Sequence, residues 1–180
     1  MSANLVDGIA ELAELLRAWG KPGAIVGGIA FVARVRPRFT DDLDLLLTVP
    51  VGERAALLEL AAKRGFVFSA KDRTFFNEAG LLPMKSPLGF DVDLMIADDV
   101  LLESAVTRAT PVEIGGVTVP VVSVEDLLLM KLDANRHVDL DDAIAIKDAL
   151  GDTLDRAYLV AMARRLDLLG RLESLLGPVQ

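Results

Sequence analysis

The 180-residue chain contains no cysteine. That absence removes any disulfide framework, thiol chemistry or zinc–thiolate centre. Histidine occurs once, as His137, which reads as a loop or packing residue, so histidine-based catalysis is not expected. Positive charge is scarce: 19 Lys and Arg stand against 27 Asp and Glu, for a net charge of −8. Broad, non-specific binding to nucleic acid needs a cationic surface and is argued against. Arg34, Arg36 and Arg38 remain as one candidate basic strip. No uncharged apolar run approaches the roughly 18 residues that cross a bilayer. The N-terminus carries Asp7, Glu11 and Glu14 where a signal peptide would carry a basic region before an apolar core. A cytoplasmic protein with no membrane partner is expected. Internal repeats and low-complexity linkers are also missing.

What the chain does have is apolar residues, 52% of the total, in a length sufficient for a proper core. Residues 25–44 are its most informative stretch. A short apolar strand, Ile25-Val26, runs into Gly27-Gly28, which is expected to open a short helix. The chain turns at Pro37 and enters a second strand through Asp42-Leu43-Asp44. Strand side chains alternate between faces, so Asp42 and Asp44 point the same way, about 7 Å apart along the backbone. Two carboxylates on one face repel unless a cation sits between them, and oxygen-only ligands suit magnesium. The glycine pair allows a sharp turn with no side chain between backbone and ligand. A helix starting there aims free N–H groups at whatever lies in front, which favours phosphate. Each piece also has a plain structural reading: a tight turn for the glycines, and a solvated edge or a helix cap for the acids.

Along the chain, Leu5, Ile9, Leu12, Leu15 and Leu16 recur at helical spacing over residues 3–18. Trp19 closes this helix and Gly20-Lys21-Pro22-Gly23 breaks it. Strands are expected near 24–27 and 42–49, the second ended by Pro50, with a helix over 52–64 stopped by Gly65. Residues 66–69 and 73–77 are β-rich and are expected to pair as strands, with Phe66, Phe68, Phe75 and Phe76 in the core. Residues 79–87 read as a loop or edge strand, and 88–96 as a strand whose Asp91 and Asp93 share a face. A helix over 99–107 precedes a hairpin over 112–119 turned by Gly115-Gly116. Ser123 caps a helix running to about 135, with Asp126 three residues on. Helices over 139–150, 154–168 and 171–176 follow, broken at Gly151 and Gly170. Lys131 interrupts an apolar run and either snorkels at the edge of a buried face or emerges at a cleft. Arg136, Asp139 and Asp142 either form ion pairs between helices or belong to a site.

Gly27-Gly28 followed by Arg38-x-Thr40-x-Asp42-x-Asp44 resembles the signature of the DNA polymerase β-like nucleotidyltransferases. Glu125-Asp126-Leu127-Leu128-Leu129-Met130-Lys131, then Arg136-x-x-Asp139-Leu140-x-Asp142, resembles the branch of AbiEii-type nucleotidyltransferase toxins. Together the motifs span roughly residues 22–150. The resemblance implies an α/β (α+β) fold, with a small mixed sheet flanked by helices over residues 1–122 and a helical bundle over 123–180. It implies transfer of a nucleoside monophosphate from a nucleoside triphosphate to an acceptor, transfer RNA or protein among the candidates, and a cognate antitoxin as partner. Asp42, Asp44 and Asp93 would be the catalytic carboxylates and hold Mg²⁺ or Mn²⁺, with Asp93 fitting the third place better than Asp91. Gly27, Gly28, Arg38, Thr40, Lys131 and Asp139 would bind the nucleotide. A non-catalytic nucleotide- or partner-binding module on the same fold is the alternative, which the full carboxylate set argues against. A Rossmann unit seeded at Val26-Gly27-Gly28 is discounted, because the third glycine and the ribose-binding acid are missing.

Overall fold

A computed structural model describes residues 4–178. Helix α1, Leu5–Trp19, buries Ile9, Leu12, Leu15 and Leu16. Residue 3, where the sequence suggested the start, lies outside the described residues. Asn4 and Asp7 form a reciprocal capping box at its N-terminus, and Gly20 closes the helix at φ 69°. The Trp19 indole donates to the Thr48 carbonyl at 3.0 Å, tying the end of α1 to the sheet.

The order continues β1 Gly23–Ile25, α2 Gly27–Arg34, β2 Leu43–Leu47, a 3₁₀ turn Val51–Glu53, α3 Arg54–Lys63, α4 Ala70–Ala79, β3 Leu81–Lys85 and β4 Asp91–Ile96. Then come α5 Val100–Arg108, β5 Thr110–Ile114, β6 Val117–Val121, α6 Val124–Ala134, α7 His137–Leu150, α8 Arg156–Arg165 and α9 Leu169–Leu176. The strands form one six-stranded mixed sheet in the order β3-β4-β2-β1-β6-β5. β2 runs parallel to β4 and antiparallel to β1, and β1 runs parallel to β6. Gly115 and Gly116, at φ 58° and 86°, supply the two left-handed residues of the β5–β6 turn. Sheet residues such as Leu45 and Leu47 and helix residues such as Leu128, Ile146 and Leu159 share one buried apolar cluster. The fold is therefore a small mixed sheet flanked by helices and continued by a helical C-terminal part.

The expected strand pair over 66–69 and 73–77 is not formed. Residues 73–77 lie inside α4, and only Val67 pairs, in a bridge with Lys85. The deciding device is local: the Ser69 hydroxyl accepts from Asp72 N while Asp72 accepts from Ser69 N, and Gly80 ends the helix at φ 71°. Helical phase then splits the aromatics, burying Phe76 completely and leaving Phe75 43% exposed. Residues 81–85 form a true edge strand on β4. Strand β4 begins at Asp91, after a turn through Gly89 at φ 92°. Gly170 does not break the last helices. It lies within α9, and the chain turns instead at Asp167, φ 57°. His137 is the exposed first residue of α7, so it neither packs nor sits in a loop.

Candidate active site

The site is built on β1, β2 and β4. Strand β1 ends against β2, where Val26 N donates to the Asp44 carbonyl at 3.1 Å, and the chain turns through Gly27 at φ 60° into α2. Any side chain on Gly27 would collide with the Asp44 carboxylate, and any on Gly28 with the Thr40 hydroxyl. The glycine pair thus makes room for two site side chains. Both glycines also line the cleft.

Asp44 stands directly opposite Asp93 in the parallel β2–β4 ladder, so both side chains leave the same face. Asp42 lies just before β2 and is exposed. Burial, then the charges of Asp93 and Asp42, push the Asp44 carboxyl above its usual range. Burial together with Asp42 and Asp91 does the same to Asp93. Asp91 points along the same face but is held by Lys85 at 2.6 Å. Among the described residues the side chains do not converge into a cluster ready to hold an ion.

The opposite wall comes from α6 and α7. Lys131 is buried and sits between two carboxylates, its Nζ 2.9 Å from Asp139 and 2.9 Å from Asp142. It does not snorkel. Arg136 binds Asp139 at 2.5 Å, and Arg38 reaches Asp142 at 3.2 Å while lying 5.2 Å from the centre of the Phe31 ring. Burial works against ionisation of Asp139, but the hydrogen bonds from Arg136 and Lys131 outweigh it and hold its carboxyl low. The expected arginine strip does not exist as one surface. Arg34 donates to the Val121 and Val122 carbonyls and to Thr110, Arg38 turns to Asp142, and Arg36 alone is exposed.

All nine residues named from the sequence as catalytic, metal-ligating or nucleotide-binding line one cleft of about 510 Å³. Its apolar floor and rim, including Met95, Met130 and Val138, were not anticipated, because apolar site residues carry no chemical signature in sequence. Nor was the cluster behind α6. Fully buried Asp126 accepts from Ser123, Arg108 and Tyr158, and burial plus the Asp126 hydrogen bond push the Tyr158 phenol up to about 12. The Ser123–Asp126 spacing was legible as a cap, whereas its partners on α5 and α8 were not.

The family model for the nucleotidyl transferase AbiEii toxin of type IV toxin–antitoxin systems matches residues 12–149, well over half of the chain. The chain belongs to the AbiEii nucleotidyltransferase toxin family. No curated protein matches it in sequence. Among solved structures it is similar to the antibiotic-resistance factor ANT(2'')-Ia, at 18% identity and TM-score 0.59, covering 97% of this chain and 99% of that one. An antigenic nucleotidyltransferase-like protein from Paracoccidioides brasiliensis matches at 18% identity and TM-score 0.55, over 98% and 94% of the two chains. The lincosamide antibiotic adenylyltransferase LnuA matches at 12% identity and TM-score 0.55, over 82% and 98%. These similarities show the fold, and the family match makes the AbiEii-family chain a nucleotidyltransferase. Among the described residues no helix is long and apolar enough to cross a membrane.

Proposed function

We propose that this AbiEii-family protein moves a nucleoside monophosphate from a nucleoside triphosphate to an acceptor hydroxyl, with Asp42, Asp44 and Asp93 holding Mg²⁺ or Mn²⁺. The observation that carries the reading is the cross-strand pair Asp44–Asp93 lining the same cleft as Lys131. The donor set fits a divalent ion, since three carboxylates offer only hard oxygen ligands. Two of them are also pushed up, by burial first and then by like charges that a cation would relieve. When bound, the ion supplies charge neutralisation along the triphosphate.

The chain's own residues do the rest. The Gly27-Gly28 turn and the Thr40 hydroxyl hold phosphate oxygens by hydrogen bonds, and Arg38 and Lys131 hold them by charge. Asp139 keeps Lys131 at the cleft wall. Asp93, the carboxylate on the neighbouring strand β4, takes the proton from the acceptor hydroxyl. That oxygen bonds to the α-phosphorus, the bond from phosphorus to the α–β bridging oxygen breaks, and pyrophosphate leaves with the electron pair. The family assignment supports a cognate antitoxin as partner and puts transfer RNA and protein first among acceptors to try, in the cytoplasm where nucleoside triphosphates are plentiful.

The test is incubation with each α-labelled nucleoside triphosphate, magnesium and total RNA or protein extract. Wild type transfers label, and Asp42→Asn with Asp44→Asn does not. Unchanged magnesium-dependent nucleotide binding by calorimetry in that double variant would remove the metal site from the reading.

A further inference from the structure

The connection from α2 to β2, residues 35–42, carries three side chains of the cleft, Arg38, Thr40 and Asp42. Little holds it in place. Among the described residues, none of 36–41 makes a backbone-to-backbone hydrogen bond, Phe39 is 84% exposed, and Arg36, Asp41 and Asp42 are exposed as well. A stretch with so few anchors opens at small cost unless a side chain ties it down. Arg38 is that side chain. Its Nη1 donates to the Phe39 carbonyl at 3.1 Å, its Nη2 donates to Asp142 at 3.2 Å, and its guanidinium lies over the Phe31 ring of α2. Its Nε is buried without a partner, a cost the fold accepts to keep the group here.

Asp142 does not itself line the cleft. It is buried on α7, one turn past Asp139, and pairs with both Arg38 and Lys131. Asp139 pairs with Lys131 and Arg136, and among the described residues it makes no ion pair with Arg38. The two acids therefore share Lys131, and only Asp142 reaches the connection. We propose, resting on the nucleotidyl-transfer reading above, that Asp142 is a positioning residue: through Arg38 it straps the α2–β2 connection to α7, so that Thr40 and Asp42 face the nucleotide site before the nucleotide arrives. Without the strap the connection samples open arrangements. The nucleotide then binds only the closed fraction, and its apparent affinity falls by that fraction. Once bound, the phosphates themselves hold the connection, so turnover at saturation changes little.

Limited trypsin digestion of the full-length, nucleotide-free protein reports on the strap, because cleavage after Arg38 needs its guanidinium released from Asp142. Asp142→Asn should speed cleavage of the Arg38–Phe39 bond about tenfold, in proportion to the open population. Backbone order parameters from ¹⁵N relaxation at residues 38–41 should fall from about 0.85 towards 0.6. Asp142→Glu, which keeps the charge, should recover most of both differences. Asp139→Asn also takes a carboxylate from Lys131 but leaves the strap, so both readouts should stay at wild-type values. In transfer assays, Asp142→Asn should raise the KM for nucleoside triphosphate about tenfold and hold kcat within about twofold. Wild-type cleavage in Asp142→Asn, equal loosening in Asp139→Asn, or a fall in kcat at unchanged KM would each overturn the proposal. Cleavage and relaxation are measured without nucleotide, so they test the strap separately from the transferase reading, which fails alone if the wild-type protein transfers no label.

Discussion

The two walls of the cleft both carry charge and use it in opposite ways. On the sheet wall, burial first and then the crowding of Asp42, Asp44 and Asp93 raise the pKa of Asp44, and burial with the charges of Asp42 and Asp91 raises that of Asp93. On the helical wall, Lys131 and Arg136, joined by Arg38 reaching across from the α2–β2 connection, are already matched to Asp139 and Asp142. One wall is frustrated and the other satisfied. A protein keeps unrelieved repulsion where a ligand supplies the missing charge, and keeps closed ion pairs where a side chain must be held in direction. The sheet wall therefore reads as the half that waits, and the helical wall as the half that is preorganised.

The largest expected effect breaks the frustrated wall. Asp44→Asn should lower nucleotide transfer about a hundred- to thousandfold while raising thermal stability in metal-free buffer, because it removes a repelling charge. Parallel assays of labelled product and melting temperature check both halves, and a loss of stability would show that Asp44 is structural.

The satisfied wall should respond the other way. Lys131→Met leaves Asp139 and Asp142 without their shared cation, and removing one partner of a buried ion pair costs about 3 kcal/mol. Denaturant titration should show this loss, together with weaker nucleotide binding. A variant as stable as wild type would mean that Arg136 and Arg38 suffice for the two acids.

Acid titration sharpens the contrast. The pKa values of Asp44 and Asp93 are raised on folding, so their contribution to stability is full below the unfolded value and lost as pH rises through the folded one. The pKa of Asp139 is lowered, so its contribution is present above the unfolded value and lost as pH falls through the folded one. The stability advantage of Asp44→Asn should therefore exist at neutral pH and fade on acidification, and stabilisation by added magnesium should fade over the same range. The deficit of Asp139→Asn should also shrink, but at lower pH. Unfolding free energies of the three proteins across the carboxylate range test the order of these events.

The smallest effect is a control away from both walls. Gly170 lies within α9 with open space where a Cβ would stand, so Gly170→Ala should add about 0.5–1 kcal/mol and leave transfer unchanged.

Much of this was legible from local pattern. Spacing picked out Asp42 and Asp44, which line one cleft although Asp42 falls just before β2, and a Gly-Gly pair between apolar stretches marked both the site turn and the β5–β6 hairpin. At residues 66–77 two local signals compete. Phenylalanine and valine content suggested strands, although Ser69-x-x-Asp72 and Gly80 already spelled both ends of a helix. Capping prevailed because it satisfies backbone groups that a strand there would have had to pair elsewhere.

Sequence by itself determined the short-range chemistry: which residues carry oxygen ligands, which glycines permit a sharp turn, and which spacings hide a face. Tertiary structure alone decided the partnerships. Asp44 meets Asp93 only through the register of a parallel pair, and Arg38 meets Asp142 across 104 residues of chain. Spacing along a chain constrains neighbours within a few residues. Contacts between distant segments are selected by the packing of the whole core, and that is where this site acquires its two unlike walls.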